Sequence, residues 1–226
     1  MYIIGLHSHK QGGKNYLAEV FKEQYGDVYN IQLLSFAHDM KLFLSELLDV
    51  ELDDFEDGKK KEEVQTFSFP LGKMSAIMYK EGYAPYVSCE MLATSVINEC
   101  WTLGATGYHD EHERVVLNTS LRTFLRALGQ AMRSYDEHFW INRAKRHINT
   151  SDSLVIFTDV RMEDEASICN MVVRIHTNDK QNDEHVTERP LPDNLVHVHL
   201  INDYTNNRAV TNACYIEEQL PLIGDL

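Results

Sequence analysis

The chain has 226 residues, a formal net charge of -14 and a sequence pI near 5.1. That balance excludes broad electrostatic binding to a nucleic-acid polymer, which needs Lys and Arg to neutralise phosphates, but leaves room for a small basic pocket. Hydrophobic residues at 43% and charged ones at 25% are ordinary for a globular protein, and no apolar run approaches the roughly 20 residues of a membrane span.

The opening apolar segment turns polar after Leu6, too soon for the core of a signal peptide. It reads instead as the first of five strands buried on both faces: 2–6, 29–36, 154–159, 171–176 and 196–201. Helical patterns follow the first three of these, over 14–25, 39–48 and 163–170. Strand and helix in alternation predict right-handed crossovers and an α/β fold with a five-stranded parallel sheet sandwiched by helices. Residues 50–118 break the alternation and are expected to form a lobe inserted over one end of the sheet, with a helical stretch at 90–100. A second irregular stretch, 177–193, is polar with two prolines, and its length suits a lid. Cys89, Cys100, Cys169 and Cys214 lie far apart without a CxxC pair, which predicts free thiols in a reducing cytoplasm.

The first strand runs into Ser8-His9-Lys10-Gln11-Gly12-Gly13-Lys14-Asn15. A loop that cradles phosphate needs inward-facing amides, a helix N-terminus behind them and a Lys that reaches the outer phosphates. The spacing is that of GxxxxGK[ST], with Ser8 at the first Gly and Asn15 at the Ser/Thr. A Gly-rich strand-to-helix turn with one solvated Lys is the competing reading. Asp159-Val160-Arg161 closes the third strand, at the end where open parallel sheets bind ligands. Asp159 there suits magnesium, directly or through water, and Arg161 suits a phosphate; a helix cap with a surface Arg is the alternative.

Over 120–129, Leu121, Phe124, Leu125 and Leu128 line one helical face beside a basic stripe of Arg122, Arg126 and Arg133. The stripe fits either an acceptor phosphate or a solvated face. Phe139 and Trp140 read as core before base-stacking groups. Among the eleven histidines, His7, His9, His197 and His199 alternate without an acidic partner at ligand spacing, and no structural metal is expected.

On these pieces, together with 35–41, 135–140, 182–191 and Asn202-Asp203, the chain resembles the deoxynucleoside monophosphate kinases of tailed bacteriophages. These belong to the P-loop kinase superfamily, which includes the phosphomevalonate kinases of animals. The matching pieces cover roughly half the chain, in the family's order. The resemblance implies a P-loop NTPase-type sheet with the P-loop strand central, an acceptor-binding lobe at 50–118 and a lid at 177–193. It implies transfer of the ATP γ-phosphate to a deoxynucleoside monophosphate, with Mg2+, in the host cytoplasm. Lys14 would hold the ATP phosphates with Ser8, Lys10, Gln11, Gly12, Gly13, Asn15 and Tyr16. Asn15 and Asp159 would serve the metal, and Arg161 a phosphate. Arg122 would face the acceptor, with Lys41, Arg126, Arg133 and Trp140 on the same substrate, and His185 and Glu188 in or beside the lid. The chain departs from the family at Ser8, where Gly is usual, at Asn15 for Asp, Tyr16 for Thr, Gln130 for Thr, and His176 for a basic residue. Two alternatives stand beside this reading: a related kinase for another phosphorylated small molecule or a modified nucleotide, and a non-catalytic nucleotide binder. A homodimer stays open.

Overall fold

All five apolar segments join one parallel sheet in a computed structural model of the chain, which describes residues 1–9, 11–110, 114–151, 154–177 and 189–220. The strands are β1 (Tyr2–His7), β2 (Ile31–Leu34), β6 (Leu154–Phe157), β7 (Met171–Thr177) and β8 (Val198–Asn202), in the order β2-β6-β1-β7-β8. β1 is central: Tyr2 pairs with Leu154 on one side and Ile4 with Met171 on the other. Central parallel strands are covered on both faces, which is why they read as unbroken apolar runs.

Alternate strand residues feed two cores. On one face Ile4, Leu6, Ile156, Val173 and Ile175 pack with Leu17, Ala18 and Phe21 of α1 (Lys14–Tyr25) and Ala209, Ala213 and Ile216 of α8 (Asn206–Glu218). On the other, Val155, Phe157 and Val172 meet Phe36, Ile141, Ala144, Ala166 of α7 (Glu163–Ser167), and Leu191. Phe36 and Phe157 stack there with ring centroids 4.3 Å apart. Burying each such ring contributes about 1.5–3 kcal/mol.

The chain divides into two compact units, Met1–Phe36 with Ile141–Leu226, and Ala37–Trp140. The second is wider than the 50–118 lobe expected from the sequence. The apolar stripes of α2 (His38–Leu48) and α5 (Leu121–Tyr135) belong to its core, through Phe43, Leu44 and Leu47 and through Phe124, Leu125 and Leu128. Its other elements include a 3-10 turn (Leu52–Phe55), α3 (Leu71–Lys80), α4 (Tyr86–Thr102) and a three-stranded antiparallel sheet with the last of its strands in chain order in the middle. That sheet is made by β3 (Gln65–Pro70), β4 (Thr106–His109) and β5 (Arg114–Thr119). The expected helix at 90–100 lies inside the longer α4.

Candidate functional site

Between β1 and α1 the backbone turns tightly enough to exclude side chains. Gln11 and Gly13 both take left-handed conformations, at φ 58° and 82°. A Cβ on Gly12 would come within 2.3 Å of Ser8 Oγ, and one on Gly13 within 2.4 Å of Asn202 Nδ2. Only glycine fits at either place. The Gly12 N–H donates to His9 O at 3.1 Å, and Asn202 at the end of β8 donates to Gly12 O at 3.1 Å. Gly13 is the N-cap of α1 and offers no side-chain cap, so the helix's first amides face the loop with their partial positive charge.

Lys14 is buried and its ammonium folds back into the loop. It donates to Ser8 Oγ at 2.9 Å and to the carbonyls of Ser8 and His9 at 3.2 Å. Asn15 and Tyr16, on the first turn of α1, are exposed, and the Tyr16 hydroxyl donates to Asn206 at 2.8 Å. Lys10 lies outside the described residues.

Asp159 follows β6, the strand beside β1. It accepts from the Ser35 hydroxyl at 2.6 Å and from the Phe36 N–H at 2.8 Å, tying together the ends of β6 and β2. Both bonds fix the Asp159 carboxylate at the end of β6. Asp159 and Asn15 carry the oxygen donors that a hard divalent cation takes. The N–H groups of Arg161 and Met162 both donate to buried Glu165, at 2.7 and 3.1 Å, which fixes the backbone that carries Arg161.

The second unit carries the other expected residues. Ser120 caps α5 by accepting from the Thr123 N–H at 3.2 Å. Arg122, Arg126 and Arg133 follow on that helix, all partly buried. Arg122 Nε pairs with Glu62 and its N–H donates to Lys61 O at 3.0 Å, while Lys41 on α2 pairs with Glu56. Trp140, expected on the substrate, is instead a core residue. It is 1% exposed, its indole N–H donates to Gly129 O at 3.2 Å, and its ring packs edge-on to Tyr83 and Phe139. His185 and Glu188 lie outside the described residues, as does most of the 177–193 segment expected to be a lid.

Four residues gain roles that sequence reasoning did not assign. Ser35 and Asn202 hold Asp159 and the Gly12 carbonyl, as described. His7, the last residue of β1, is buried and bonded to Val160 and Leu191. Arg174 pairs with Asp193 and donates to Leu191 O. The available signal for Arg174 was a charged residue inside the apolar run of β7, since a buried charge needs partners.

Beside Arg174, His176 of β7 and His199 of β8 place Nε2 and Nδ1 2.9 Å apart, with ring centroids at 5.2 Å and planes within 15°. The nitrogens point head-on at one another, the geometry of one shared proton. Burial first, and then the nearby His199 and Arg174, hold His176 below its ordinary pKa.

The fold and the loop together define the class: a P-loop NTPase-type α/β sheet with an antiparallel insert. No protein-family model matches the chain, and no curated protein matches it. Among the described residues, no helix is long and apolar enough to cross a membrane.

Proposed function

We propose that this protein is a deoxynucleoside monophosphate kinase that moves the γ-phosphate of ATP onto a dNMP, releasing dNDP and ADP. The observation that carries the reading is the loop at 8–14 after the central strand. There two side-chain-free positions and the start of an uncapped helix surround a Lys that already binds loop oxygens. Triphosphate oxygens would replace Ser8 and His9 as partners of Lys14, which then neutralises charge on the transferring phosphoryl group. Asp159, with Asn15, would hold magnesium, whose bound form supplies charge neutralisation for the phosphates. The cations of α5, Arg122, Arg126 and Arg133, would take the acceptor's 5′-phosphate, the role that favours planar, bidentate donors. The reaction suits the cytoplasm of a host cell, where ATP and dNMPs are available.

Coupled ADP release, measured across dAMP, dGMP, dCMP, dTMP and modified dNMPs with magnesium, tests the proposal. ADP formation that depends on a dNMP is expected. ATP binding with no ADP formed from any acceptor would reject the kinase and leave a nucleotide binder.

A further inference from the structure

His7 is 4% exposed and directly precedes Ser8, yet nothing in phosphate binding requires a histidine there. Its ring spans two backbone groups from distant segments. Nδ1 lies 3.0 Å from Val160 O, and Nε2 lies 3.4 Å from Leu191 N. A carbonyl only accepts and an amide N–H only donates, so the partners assign the tautomer: Nδ1 carries the proton and Nε2 is bare. Val160 is held a second time, its N–H donating to Leu6 O at 3.1 Å. Leu191 is also held twice more, by Arg174 at its carbonyl and by burial of its side chain at 4% exposure.

Val160 sits between Asp159 and Arg161, and Leu191 begins the return of the chain towards β8. One imidazole therefore joins the base of the phosphate loop, the Asp159–Arg161 turn and the return segment. We propose that His7 is a positioning residue, fixed as the Nδ1–H tautomer, that sets the Asp159–Arg161 turn and Leu191 in register with the phosphate loop.

The functional part of this inference rests on the kinase reading; the tautomer and the bonds do not. A second proton would turn Nε2 into a donor facing the Leu191 N–H. Burial first, and then the charges of Arg161, Arg174 and Lys14, oppose that proton and lower the pKa of His7 to about 4. An apolar residue would fill the same space but leave Val160 O and Leu191 N–H buried without these bonds. No other side chain offers a donor at the δ position and an acceptor at the ε position of one rigid ring.

The test separates the two bonds in the full chain. Asn at position 7 can keep the δ donor to Val160, and Gln can keep an ε acceptor for Leu191. In His7→Gln, kcat should fall about tenfold with the KM for ATP within about twofold, and amide exchange at Leu191 should stay at the wild-type rate. In His7→Asn, exchange at Leu191 should quicken at least about tenfold, with a smaller loss of kcat than in His7→Gln. Nitrogen-15 NMR of the wild-type imidazole should show the Nδ1–H tautomer. An Nε2–H tautomer overturns the proposal even if both variants misfold, and so do two variants indistinguishable in exchange and in kcat. Absence of ADP formation by the wild-type chain would reject the kinase reading instead, and leaves the tautomer and exchange results to decide the positioning role.

Discussion

The two compact units carry their candidate chemistry in different ways. In the sheet unit it is built mostly by backbone: strand ends, two left-handed residues, loop carbonyls and the start of α1. In the insert it is built by side chains at regular spacing along one helix, and two cations there meet carboxylates, Arg122 with Glu62 and Lys41 with Glu56. The acidic partners are 38% and 53% exposed, so each pair adds no more than about 1 kcal/mol to stability. The difference teaches what a ligand would have to do in each unit. A phosphate entering the loop would compete with the Ser8 and His9 oxygens at Lys14, whereas one arriving at Arg122 or Lys41 would compete with a carboxylate.

The comparison breaks first at Lys14. Lys14→Ala should lower kcat by about 10³-fold or more, because in the proposed reaction the charge would act on the transferring group itself. Circular dichroism should show the fold retained; near-wild-type turnover in coupled ADP release would remove the loop from the chemistry. Next comes Asp159→Asn, which keeps one acceptor for Ser35 or Phe36 but removes the charge. A loss of about 10²-fold or more in kcat is expected, with strict magnesium dependence in the wild type. An unchanged magnesium titration would take Asp159 away from the metal.

Acid should weaken the sheet unit through His7. Its folded pKa of about 4 lies below the ordinary 6.5, so between these values the unfolded chain binds a proton that the native chain refuses. This contribution to stability is present in full above about pH 6.5 and is lost as pH falls towards 4, by about 3 kcal/mol in total. Urea midpoints at pH 7.5 and 5 measure it, and His7→Asn should flatten the difference. The smallest effect expected is in the insert: Arg122→Ala should raise the acceptor KM about tenfold while the KM for ATP stays within about twofold. Equal damage to both substrates would separate Arg122 from the acceptor. Glu62→Gln sharpens the same contrast, since releasing Arg122 should lower the acceptor KM.

Local chemistry was enough for much of the sheet unit. The apolar period and Gly13 define α1 from Lys14 to Tyr25 as expected, and each of the five runs is a strand because strands covered on both faces need no polar alternation. The basic stripe of α5 was equally plain, since its period of four and seven residues is a property of any helix. Tertiary structure alone decided the rest. β3 pairs with β5 from Gln65 to Thr119, across more than fifty residues, so no local pattern announces the pairing. Residues of α2 and α5 share the insert's core with Phe67, Phe69 and Trp140, so the residue-level reading of Trp140 as core holds over the substrate role that the resemblance implied. His7 is the clearest case: its partners Val160 and Leu191 stand 153 and 184 residues away, and only the parallel order of β6, β1 and β7 brings them to its two ring nitrogens. A sequence specifies which groups need hydrogen bonds, but which distant backbone atoms supply them is settled when the strands are laid side by side.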